Sequence, residues 1–79
     1  MEQWVIDLTA EIEAALAADR LDPADVGYTR KRRMAYEKRW PTGRQMEAHA
    51  DAALGDTAKR DLMLSEIAAI KEAIPKPVA

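Results

Sequence analysis

The sequence predicts an all-α fold of three to four short helices ending in a helical hairpin, and three observations carry that prediction. Apolar residues recur at three- and four-residue spacing in one stretch near each end of the chain. Breaks bearing proline or glycine at Leu21 to Asp25, at Gly27, at Trp40-Pro41 and at Gly55 cut the chain into helix-length blocks. No segment alternates apolar and polar residues as a half-buried strand would.

The first helix is predicted over Gln3 to about Asp19, within an acidic amphipathic segment spanning residues 1–21. Trp4, Val5, Leu8, Ile12, Ala15 and Leu16 share one face, with Asp7, Glu11 and Glu13 mostly on the others. Arg20 suits the negative end of the helix dipole. Pro23 disfavours helix at the preceding residue, and Asp22 is placed to cap a short turn with Pro23 in its first position. Residues 28–40 form a basic segment whose apolar points, Met34 and Tyr36 with Tyr28 and Trp40 at the ends, are sparse; it is expected to be helical.

Residues 42–74 are expected to form the hairpin. Thr42 followed by Gln45 matches a capping box, which starts a helix carrying Met46, Ala50, Ala53 and Leu54 on its apolar face and stopping at Gly55. Asp56 can cap the last helix, predicted from about Thr57 to Ala73, with Met63, Ile67, Ile70 and Ile74 as its stripe and Leu64 and Ala68 beside it. Pro75 and Pro77 end it and leave an extended tail over residues 75–79.

At 79 residues the chain is sized for one domain, residues 1–79, and its core is thin: the 48% hydrophobic content includes 16 alanines. A domain this small buries only about 60% of its unfolded surface, and short chains usually add a disulfide, a metal or a partner. There is no cysteine and no metal-ligand constellation around the single His49, so a partner, as a homo-oligomer or hetero-complex, is the expected support. No catalytic motif, phosphate-cradling glycine loop or cofactor motif is present, and the chain reads as non-enzymatic with no cofactor. The longest apolar runs fall far short of the roughly 20 residues that span a bilayer, and the early acids do not fit a signal peptide, so a cytoplasmic, non-membrane protein is expected.

Charge is segregated. Met1 to Asp25 holds seven acids against Arg20, whereas Val26 to Arg44 holds seven bases against Glu37. The two segments either pair with each other, within one molecule or between neighbours, or face different partners. Arg30, Arg32 and Arg33 can offer forked donors to an acidic protein surface, with Tyr36 and Trp40 as interleaved aromatics. Trp4 and Trp40 are candidate anchors in a partner's pocket, or ordinary core. The same basic and aromatic run could instead neutralise phosphates and stack on bases, although the acidic first segment would repel a nucleic acid.

Arg32-Arg33-Met34-Ala35-Tyr36, then Trp40-Pro41, then Gln45-Met46-Glu47-Ala48, and finally Ile70-Lys71-Glu72-Ala73-Ile74-Pro75-Lys76-Pro77 stand in an order that resembles a group of small tailed-bacteriophage proteins encoded among tail genes. Those proteins carry an arginine-containing stretch, an aromatic-proline step, a Gln-Leu-Asp-Ala-Leu-like helix and a last helix ending in Ile-Lys-x-x-x-Pro-Lys-Pro. This chain departs in having Trp40 where tyrosine is usual, Met46-Glu47 for Leu-Asp, and His49 near a usually apolar point; its acidic first helix lies outside the resemblance. The resemblance implies a structural or assembly protein of the tail or baseplate region, made in the host cytoplasm and built into the virion, with other phage structural proteins as partners. A tail or tail-fibre assembly chaperone that departs before maturation, and a small nucleic-acid-binding regulator using residues 28–40, are the alternatives.

Overall fold

The computed structural model describes residues 2–77, and within them every regular element is helical: α1 (Gln3–Ala18), a single 3-10 turn (Pro23–Asp25), α2 (Tyr28–Arg39), α3 (Thr42–Ala53) and α4 (Ala58–Ala73). The fold is all-α. Met1 and the last two residues of the expected tail, Val78 and Ala79, lie outside the described residues; Pro75, Lys76 and Pro77 follow α4 without regular structure.

Both turns out of α1 and α3 close by the same device. Leu21 N–H donates to Leu16 C=O at 2.8 Å and Arg20 N–H to Ala17 C=O at 2.9 Å, the paired bonds of a Schellman motif. Asp56 N–H to Asp51 C=O at 2.9 Å and Gly55 N–H to Ala52 C=O at 3.1 Å repeat it after α3. The motif needs a left-handed residue, supplied at φ +100° by Gly55 and at φ +60° by Arg20. Arg20 therefore lies beyond the helix rather than in its last turn. Leu21, the residue after it, turns back onto the cluster that contains Leu16. Asp22 accepts from Ala24 N–H at 3.0 Å and caps the 3-10 turn as expected, with Pro23 at its start.

Two apolar clusters divide the molecule. Leu8, Ile12 and Leu16 of α1 meet Ala35 of α2 and Ile70 and Ile74 at the end of α4, with Trp4, Leu21, Val26, Tyr28, Met34 and Tyr36 packed around them. Ala35 is fully buried, which lets α2 come close to α1 and α4 despite its sparse apolar content. A smaller cluster joins Trp40, Ala48 of α3 and Met63 of α4, with Ile67 against it. Thus α4 belongs to both clusters, and α3 packs along α4 as the hairpin. The radius of gyration is 14.0 Å, against about 11.6 Å for a compact chain of this length. The long dimension is 44 Å, against 27 and 23 Å across.

Two local expectations for α3 are corrected. Thr42 is the first helical residue, not the cap; Pro41 holds that place with no side-chain bond. The Gln45 amide instead donates to the Trp40 carbonyl at 2.6 Å, and Arg44 to the Arg39 carbonyl at 2.7 Å, so α3 side chains satisfy the last carbonyls of α2. The buried face of α3 also differs: Ala48 is wholly buried, while Met46 is 66% and Leu54 88% exposed. The Trp40 ring decides this, because it needs a small residue on the facing helix, and Ala48 rather than Met46 lets α3 approach. On α4 the expected stripe is buried except that Ile67 is only partly so, and Leu64 is exposed.

Candidate interaction surface

The basic segment becomes a helix whose cations divide into two groups. Arg32, Arg39 and, from α3, Arg44 are used within the chain. Arg32 reaches across to the end of α4, its Nε donating to the Ile74 carbonyl at 2.8 Å and a terminal nitrogen to the Lys71 carbonyl at 3.3 Å, while its guanidinium lies 5.0 Å from the centre of the Tyr28 ring. A cation on the exposed carbonyls of a helix C-terminus is held by hydrogen bonds and by the helix dipole together.

Arg39 enters a polar cluster inside the fold. Its guanidinium grips Glu66 through both carboxylate oxygens, at 2.7 and 3.0 Å, and the Trp40 indole N–H donates to the same Glu66 at 3.0 Å. One face of this arrangement is closed by the Trp4 ring, whose centre is 4.5 Å from the Arg39 guanidinium carbon. On Trp40 the Arg44 guanidinium sits 3.8 Å from the ring centre. Glu66 is 7% exposed, and all its bonds are charge-assisted. The Arg39 hydrogen bonds hold its carboxyl below the ordinary carboxylate range against the opposing effect of burial, with the Trp40 bond adding to the lowering. Arg39 is raised in turn, chiefly by the same bond.

These placements redistribute the residues expected to meet a partner. Trp40 is 1% exposed and is core, so its pocket is inside this chain. Trp4 is half-buried against the first cluster with its indole N–H on the Glu2 carboxylate, and Tyr36 is half-buried on the same cluster. Arg32 is a helix cap. Arg30 and Arg33 remain: both are exposed, on the side of α2 opposite Ala35, and neither forms an ion pair or side-chain hydrogen bond among the described residues. Lys38 is likewise exposed near the end of the helix.

The acidic first segment does not neutralise this surface. No ion pair among the described residues joins an α1 carboxylate to an α2 cation. Glu13 and Lys31 line one half-open groove of about 390 Å³ between α1, the start of α2 and the segment after α4, and they too form no ion pair. Apart from Arg39–Glu66, the ion pairs among the described residues lie on the hairpin, where Lys59 bridges Glu47 at 2.6 Å and Asp51 at 3.0 Å and Arg60 lies 3.7 Å from Asp61.

Glu66 is the residue that sequence reasoning missed. Its signal was present, since it falls three after Met63 and four before Ile70 on the apolar stripe, where a carboxylate survives only with partners. Among the described residues no group of three or more His, Cys, Asp or Glu is placed to hold a metal ion, and His49 is exposed on α3. No helix among them is long and apolar enough to cross a membrane. Comparison with protein-family models, curated proteins and solved structures gives no match to this chain.

Proposed function

We propose that this chain is a non-enzymatic structural protein of a tailed-phage particle, a minor component of the tail or baseplate region that works through protein-protein contacts. The observation that carries the contact assignment is the pair Arg30 and Arg33, exposed and without ion pairs on a helix whose other arginines are locked into the fold. Forked guanidinium donors fixed on a helix are suited to carboxylates on a partner surface. The setting in a phage tail rests on the sequence resemblance from Arg32 onward.

Several of the residues that carry that resemblance serve the architecture. Trp40-Pro41 makes the corner between α2 and α3, Gln45 closes it, Ile70 and Ile74 fill the first cluster, and Pro75 follows the end of α4. Partner choice then falls to exposed residues such as Arg30, which precedes the motif, and Arg33, which lies within it.

Mass spectrometry of gradient-purified particles tests the proposal directly. Presence at a fixed small ratio to the major tail protein is the expected result, with loss from particles when Arg30→Glu and Arg33→Glu are combined. Absence from particles with abundance in the lysate would turn the reading to an assembly chaperone. The exposed basic face also suits a phosphate backbone; binding to duplex or single-stranded DNA that falls steeply with salt would favour that second reading.

A further inference from the structure

The acidic face of α1 and the basic face of α2 are both on the surface, both unneutralised within the molecule, and matched in spacing. Asp7 and Glu11 are exposed one helical turn apart, and Arg30 and Arg33 are exposed about one turn apart. Exposed Ala10 and Ala14 lie beside Asp7 and Glu11, leaving a shallow lane in which the aliphatic stem of an arginine can lie. Ile6, 44% exposed, borders the same lane.

We infer that the occupant of the Arg30 and Arg33 face is a second copy of this chain, presenting the outer face of its α1. The inference rests on the protein-contact reading above and names the partner for that surface. In an antiparallel docking of α1 from one copy on α2 of the next, Arg33 meets Asp7, Arg30 meets Glu11, and Glu37 meets the second N–H of the Gln3 amide, whose first donates to Asp7 of its own chain at 2.9 Å, so no like charges are opposed. The net charge of −2 leaves little general repulsion between copies. A nucleic acid laid on the same face would have the unneutralised carboxylates of α1 on the same small molecule. Because the two surfaces are different patches of one chain, each copy that donates α1 still offers its own α2, and the contact propagates into a closed ring or an open filament rather than stopping at a two-fold dimer.

Sedimentation of the full chain at about 0.02 M and about 0.5 M salt separates the possibilities, since added salt screens exposed pairs. The wild-type chain is expected to reach at least twice its 8.8 kDa monomer mass at low salt and to return toward monomer at high salt. The double variants Asp7→Lys with Glu11→Lys, and Arg30→Glu with Arg33→Glu, are each expected to be folded monomers by circular dichroism and sedimentation. Mixed in equal amounts they restore association, because each supplies the sign the other lacks at both faces. A wild-type chain that stays monomeric at low salt and high concentration overturns the second-copy assignment, as does a mixture that fails to associate or association that appears only when DNA is added. If the wild-type chain stays monomeric while the Arg30 and Arg33 double variant is still lost from particles, the self-contact fails and the contact with another particle protein stands.

Discussion

Trp40 and Glu66 are bonded in the interior, indole N–H to carboxylate Oε1 at 3.0 Å, with Arg39 clasping the same carboxylate through both oxygens. That single acid ties the end of α2 to the middle of α4 beside the α3 contact. Replacing Glu66 with alanine leaves the Arg39 guanidinium and the Trp40 N–H without their acceptor. The expected cost is about 2–3 kcal/mol, below the 3–5 of a fully buried pair because the Arg39 side chain is 36% exposed. Urea unfolding followed by circular dichroism measures it.

The same carboxylate sets a pH dependence. Folded Glu66 titrates below its ordinary value of 4.5, so between the two values the unfolded chain binds more protons than the native one. Its contribution to stability is whole above about 4.5 and is lost as pH falls through the folded value. A Glu66→Gln chain is expected to be less stable at neutral pH and to show a shallower loss on acidification; equal acid slopes in urea titrations of the two chains would contradict the assignment.

The two tryptophans report on different environments. Trp40 is sealed and Trp4 half-buried under Arg39. With Trp4→Phe, the remaining emission is expected to be blue-shifted and nearly inert to iodide, and to turn red with unfolding. Iodide quenching as strong as that of free indole would place Trp40 outside the core.

The Schellman turn after α1 offers a stabilising change. Arg20 holds φ +60° and its side chain makes no hydrogen bond or ion pair among the described residues. A left-handed L-residue costs roughly 1–2 kcal/mol, part of which glycine gives back through the greater freedom of the unfolded chain. Arg20→Gly is therefore expected to gain about 0.5–1 kcal/mol, a rise in Tm of about 2–8 °C. Gly55→Ala, at φ +100°, should lower Tm by a similar or larger amount.

Adjacent arginines are expected to behave oppositely. Arg32→Ala removes the donors from the Ile74 and Lys71 carbonyls and should cost about 1–2 kcal/mol. Arg33→Ala removes no side-chain hydrogen bond or ion pair among the described residues and should fall within about 0.5 kcal/mol of wild type. For this reason a contact-breaking variant built on Arg32 would confuse folding with binding, and Arg30 with Arg33 is the clean pair.

The helices were legible in the sequence to within about a residue because proline and glycine stand at nearly every boundary and α1 and α4 carry strong apolar stripes. The orientation of α3 was not, since Ala48 and Ala52 lie on the arc opposite Met46, Ala50 and Ala53, and with apolar residues on both sides periodicity favours the larger set although the buried residue, Ala48, is in the smaller one. The division of the arginines was equally hidden. What separates Arg32 from Arg33 is a carbonyl 42 positions away in Ile74, and local composition cannot report a contact made only by tertiary packing.

The sharing of α4 between the two clusters has a consequence for amide hydrogen exchange. Backbone around Glu66 and Ile70 is clamped from both directions, so its protons should exchange only through global opening. Protons near Gly55, at the far end of the hairpin and beyond the Trp40 cluster, should be released by fraying of the tip alone. The rod-like end of the molecule can thus loosen on a faster clock while the three-helix body and its charged outer faces stay in register.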